Sequence, residues 1–173
     1  MANLDNPRGA RIYGVDRGMH PYPHSANDSV AVYPGDFVHT AAGYCNVAAA
    51  TERLRGVAAN YVPASVAKDV MVYDHPLQEF IIQDDIDSTG TALTIAEMGE
   101  NCEILATAGD SDLKVSKMEI SGAGHTTSTQ QIRLVRPADV TYPDGTVNTF
   151  GAHCDYVVVI NEHEGGPAEN VGT

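Results

Sequence analysis

Hydrophobic positions are densest in residues 70–85, VMVYDHPLQEFIIQDD, and the rest of the chain can be ordered around that stretch. Val70, Met71, Val72 and Tyr73 suit a buried strand. The run breaks at Asp74-His75-Pro76, because proline fixes φ, lacks an N–H and pushes the residue before it out of the α region. Leu77, Phe80, Ile81 and Ile82 resume it. Gln83-Asp84-Asp85 then stops it, since three polar side chains are costly to bury without partners. The pattern predicts two apolar strands joined by a proline corner, in the middle of a β-sandwich or barrel.

On either side the texture is that of short strands and tight turns. Residues 29–41 read as SVAVY, a Pro34-Gly35 turn and FVHTA, and YCNVAAA follows the Ala42-Gly43 turn. Pro-Gly supplies the type II pair, with proline at i+1 and positive φ at i+2. The Arg53–Ala59 stretch reads as a bend or bulge, and Ala92–Met98 as a short helix closed by Gly99. Strands are predicted at 102–106 and 113–120. In QIRLVR (131–136) Val135 breaks the alternation, which suggests burial on both sides. YVVVI (156–160) is a β-branched core strand. About ten short strands at turn spacings of 8–12 residues predict an all-β, jelly-roll-like sandwich or barrel. Val70, Val72, Phe80, Ile82, Val157 and Val159 are its expected core.

Both ends differ in texture. Residues 1–28 show no 2 or 3.6 period and hold scattered Pro, Gly, Tyr and Arg. They predict an extended N-terminal arm that orders on a partner through its Tyr, Pro and Arg side chains. Residues 29–160 form the single domain expected for 173 residues, and residues 161–173, rich in Gly and acids, an exposed tail.

Charge narrows the function. Ten basic against 23 acidic residues give a net charge of −13, which repels phosphate backbones and predicts no nucleic-acid partner. No apolar run approaches the ~18 residues of a membrane span, and the N-terminal sequence carries no apolar signal core, so no membrane or secretory role is expected. Cys45, Cys102 and Cys154 are dispersed and form no CxxC pair, as for buried free thiols in a reducing cytosol.

Candidate chemistry is sparse. His20 and His24 have a zinc-like spacing, but Pro21 and Pro23 forbid the helix it needs. Asp85-Ile86-Asp87-Ser88-Thr89-Gly90 begins like a calcium loop, yet Ala96 stands where the bidentate Glu belongs, so at most weak calcium binding at Asp85/Asp87 is expected. His153, Cys154 and Asp155 are adjacent, but on a strand Cys154 faces away from its neighbours. His39, His125 and His153 would have to converge for a cupin-like metal site. No catalytic, cofactor or metal residue is assigned, and an enzyme is not expected.

The stretches VAVYPGDFV (30–38), LRGVAANYV (54–62), YDHPLQEFIIQDD (73–85) and VVVINEH (157–163) resemble a family of small β-rich proteins encoded beside the major capsid protein in tailed bacteriophages. These are the head decoration, or cement, proteins. The resemblance implies a non-enzymatic structural protein made in the host bacterial cytoplasm. It would bind the exterior of the capsid in the virion, clamp major capsid protein subunits, and act as a homo-dimer or homo-trimer. On this reading Arg8, Arg11, Tyr13 and Tyr22 of the arm are the capsid-contacting residues. A carbohydrate- or receptor-binding sandwich of the virion is the alternative, weakened by the absence of Trp and the 6% aromatic content.

Overall fold

The computed structural model describes residues 3–86 and 92–166. The fold is all-β. In chain order the strands are β1 (Arg11–Tyr13), β2 (His20–His24), β3 (Phe37–Ala41), β4 (Tyr44–Val47), β5 (Gly56–Ala58) and β6 (Lys68–Tyr73). There follow β7 (Glu79–Gln83), β8 (Asn101–Cys102), β9 (Ile104–Leu105), β10 (Glu119–Ile120), β11 (Ile132–Pro137) and β12 (Asp155–Ile160). Two five-stranded antiparallel sheets result: sheet one in the order β1-β7-β12-β11-β8, and sheet two in the order β2-β6-β5-β3-β4. β9 and β10 form a separate ribbon. Strands β3 to β6 all stay within sheet two, so the order is not the pair of interlocked Greek keys of a jelly roll.

The proline corner is the crossing between the sheets. β6 ends at Tyr73 in sheet two, and β7 starts at Glu79 in sheet one. Pro76 therefore sits where no ladder N–H is needed. The facing sides of the two sheets enclose the main core, with Phe37 and Val57 from sheet two against Phe80, Ile82, Leu134, Tyr156 and Val158 from sheet one. The Phe37 and Phe80 rings meet edge to face at 6.3 Å, a favourable arrangement of their quadrupoles.

Sheet two has a second core of its own. Val38, Cys45, Ala58, Val70 and Val72 point to its other face, where Val32 and Val62 cover them. Those two valines are bridged backbone to backbone. The Pro34-Gly35 turn that brings Val32 into place has Gly35 at φ +96° and a hydrogen bond from the Asp36 N–H to the Tyr33 carbonyl. Gly56 lets β5 and β6 approach: a Cβ there would lie 2.3 Å from the Tyr73 carbonyl oxygen. On the far side of sheet one a small cluster of Ile81, Val157 and Ala138 is covered by Tyr13 and Val140.

Several expectations are corrected. Residues 3–28 are extended but stitched to the body, since β1 is an edge strand of sheet one and β2 an edge strand of sheet two. Residues 161–166 are docked rather than a free tail: the Leu54 N–H donates to the Glu162 carbonyl, the Glu164 N–H donates to the Leu54 carbonyl, and His163 is buried. The rest of the expected tail, 167–173, lies outside the described residues. Val159 is half-buried because it lines an open cleft, whereas the other five expected core residues are buried. Val135 is not buried on both sides. It bulges out of β11 between Leu134 and Arg136 and is exposed. Only Ile95–Glu97 of the expected helix forms, as one 3-10 turn capped by Thr94. Of 113–120, only Glu119–Ile120 is strand.

Candidate functional site

The four residues expected to contact a capsid divide into two pairs. Tyr13 and Tyr22 are half-buried and their hydroxyls are engaged within the protein. Tyr13 accepts a hydrogen bond from Arg136 Nη2 at 3.0 Å, with the guanidinium over its ring. Tyr22 donates to Asp74 Oδ2 at 2.5 Å and accepts from Arg55 Nε and Nη2 at 2.8 and 2.6 Å. His20 Nδ1 meets the other Asp74 oxygen at 2.8 Å. Burial works to raise the Asp74 carboxyl, but the hydrogen bonds from Tyr22 and His20 outweigh it and hold the group below its ordinary range. This knot ties β2 to the β6 corner.

Arg8 and Arg11 remain exposed. They line a cleft of about 270 Å³ with Leu4, Gln83, Tyr142 and Asp155. Arg11 Nη2 is 4.0 Å from Asp155 Oδ1, and the Tyr142 hydroxyl donates to Asp155 Oδ2 at 3.0 Å. The guanidinium head of Arg11 lies in water, so the pair adds little stability.

A larger feature lies at the end of sheet one. The loop 14–19 runs beside the corner 74–79, held by a hydrogen bond from the Arg17 N–H to Gln78 Oε1 at 3.0 Å. The loop and corner leave Val15 (73% exposed), Leu77 (66%) and Met19 (43%) in solvent. Beside them Arg17, Pro76, Leu77, Arg133, Val159 and His163 line a cleft of about 390 Å³. Apolar side chains and two arginines, Arg17 and Arg133, thus share this end of the molecule, on a chain of net charge −13.

The cysteine and histidine candidates do not assemble. Cys154 is fully buried, and burial pushes its thiol up to about 12, as it does for Cys45 and Cys102. None is a thiolate nucleophile at neutral pH. His39 lies near Glu52 and His125 is bonded to Glu100, so the two do not converge with His153. His20 is exposed and His24 buried on the same strand. Tyr33 and Tyr61 pack with ring centroids 5.2 Å apart and planes tilted by 38°, with Gly109 against Tyr33 and the Lys114 ammonium over Tyr61. Asp85 Oδ1 is taken up by the Gly122 N–H at 2.9 Å, and Asp87 lies outside the described residues.

The acidic exit of β7 is resolved by tertiary partners. Gln83 is fully used: Oε1 accepts from the Asn6 N–H, and Nε2 donates to the Leu4 and His153 carbonyls. Asp84 points inward, fully buried, with neither carboxylate oxygen hydrogen-bonded. Burial above all pushes its carboxyl up to about 7; the neighbouring Ile86 and Cys154 backbone groups oppose the shift, and the charges of Asp85 and Glu119 add to it. On the outer side Asp5, Glu119 and His153 come together, with one ligand-type atom of each within 4.8 Å of the others. The His153 backbone is held by its N–H to the Ile86 carbonyl and by Gln83 at its own carbonyl, and adopts φ +53°. Such a conformation is uncommon for a residue other than glycine. Burial, reinforced by the Asp5 and Asp85 charges, pushes Glu119 up to about 7. Sequence reading missed this group because its members are 114 and 34 positions apart, at 5, 119 and 153, and no local spacing signals it.

No family model, no curated protein and no solved structure matches this chain.

Proposed function

We propose that this chain is a bacteriophage head decoration, or cement, protein, which binds the outer surface of the capsid and stabilises contacts between major capsid protein subunits. The observation that carries the reading is the cleft at the end of sheet one, where Leu77 stands exposed beside Pro76 and Arg17, with Val15 and Met19 exposed on the same loop as Arg17. The stretches that resemble cement proteins, 73–85 and 157–163, flank or line that surface. The mechanism is mass action: a ligand that binds only the assembled shell raises the shell's resistance to disassembly. Many copies on a lattice, each a homo-dimer or homo-trimer, add avidity to weak single contacts. The chain's net charge of −13 suits an exterior surface rather than contact with packaged DNA.

Deleting residues 1–28 does not test this reading, because it removes the edge strand of both sheets. Surface substitutions do. Purified, empty, expanded shells of tailed bacteriophages are mixed with wild type and with Val15→Ser/Leu77→Ser, and pelleted. Saturable, stoichiometric co-sedimentation of wild type and at least tenfold weaker binding of the double variant is the expected result. Failure of the wild type to pellet with shells, alongside retention on a glycan array, would replace the reading with a carbohydrate-binding one.

A further inference from the structure

We propose that Asp5, Glu119 and His153 form a binding site for one divalent transition-metal ion of the zinc class. The three residues come from three separate places: the N-terminal segment, the ribbon strand β10 and the turn before β12. Their ligand-type atoms lie within 4.8 Å of one another. His153 Nδ1 is sealed from solvent and has no hydrogen-bond partner. Its nearest anion is Asp5 Oδ1 at 3.9 Å. That gap is too long for a hydrogen bond and close to the ~3.4 Å that separates two ligands around a tetrahedral zinc with bonds of about 2.0–2.2 Å.

Ligand chemistry selects the ion. One imidazole nitrogen with two carboxylates suits zinc, manganese or cobalt, whereas calcium takes oxygen ligands only and needs six or more. A fourth position falls to water. His153 is restrained before any ion arrives, because its backbone is hydrogen-bonded on both sides, to Ile86 and to Gln83, and its side chain is largely buried. Side-chain entropy lost on binding is then small for His153 and falls mainly on the exposed Asp5. The ion would pin the N-terminal segment to the body at the point where Gln83 already holds Leu4 and Asn6. The consequence is a metal-dependent staple on β1, the edge strand that follows.

The test is titration of the full chain, stripped with chelator, with zinc, cobalt and calcium chlorides in turn, followed by calorimetry, melting temperature and the visible spectrum of cobalt. The variants are Asp5→Asn, Glu119→Gln and His153→Asn, the last because asparagine tolerates the left-handed backbone. One zinc per chain, a raised melting temperature, tetrahedral cobalt bands and a loss of affinity of at least tenfold in each variant are expected. Asp5 is exposed, so Asp5→Asn leaves the fold intact and reads the site even if another variant unfolds. Zinc binding that survives Asp5→Asn and Glu119→Gln, binding of calcium alone, or no binding at all would overturn the assignment.

Discussion

The two sheets are assembled from the chain in opposite ways. Sheet two is built from one continuous stretch, from β2 at His20 to β6 at Tyr73, and carries a private core of small and β-branched residues. Sheet one takes β1 from residue 11, β7 from the middle and β8, β11 and β12 from the last half. Among the described residues its outer face carries a smaller cluster, Ile81, Val157 and Ala138. Local contacts close early and cheaply in entropy, and distant ones late. Sheet two is therefore expected to form first in folding, with sheet one the element whose completion ties the N-terminal segment and residues 161–166 to the body.

The largest effect expected is from Phe80→Ala. Phe80 lies in sheet one but fills the core shared with Phe37 of sheet two, so the loss is about 3–5 kcal/mol. Urea unfolding followed separately by near-UV circular dichroism and by amide exchange should show both sheets failing together. Protection retained in sheet two at full strength would mean the two cores are independent.

Asp84→Asn acts in the opposite direction. The Asp84 carboxyl is raised in the folded protein from its ordinary 3.8 to about 7. Between these values the folded state holds a proton that the unfolded state has released, so stability falls as pH rises through that window. The amide variant should match wild type at pH 4 and gain on the order of 2–4 kcal/mol above pH 7. Equal melting temperatures of the two proteins at pH 8 would show that Asp84 has a partner in solution.

Val62→Ala sharpens the comparison from the other side. Val62 closes only the private core of sheet two. A loss of about 2 kcal/mol is expected from two buried methyl groups and the space they leave. Amide exchange should accelerate in β3, β5 and β6 before it does in β12. A slower refolding rate with little change in unfolding rate would identify sheet two as the folding nucleus.

The smallest effect concerns the edge. Tyr22→Phe removes the hydroxyl shared by Asp74 and Arg55 and leaves both half-buried, which costs about 1–2 kcal/mol. Exchange should rise at β2, and the Asp74 carboxyl, titrated by NMR, should move upward because a hydrogen bond that lowers it has gone.

The all-β class, the turns at Pro34-Gly35 and Ala42-Gly43, and the strands at 70–73, 79–83 and 156–160 were legible in the sequence. Each rests on backbone restriction by Pro and Gly or on a local apolar run, which act within a few residues. The strand order was not legible, because nothing local states that β6 and β7 belong to different sheets. Val135 shows the limit of alternation: a bulge in β11 turned an apparently buried residue outward. The polar exit of β7 shows it for single residues. Gln83, Asp84 and Asp85 are neighbours with one sequence signal, yet Gln83 is buried with its side-chain oxygen and nitrogen both hydrogen-bonded, Asp84 is buried with neither carboxylate oxygen hydrogen-bonded, and Asp85 is half-buried and accepts from the Gly122 N–H. Local pattern determined where strands and turns fall, because hydrophobicity and φ restriction act along the chain. Only the tertiary structure decided which polar groups find partners and which ligand atoms meet, because Asp5, Glu119 and His153 are brought together by packing across the whole fold.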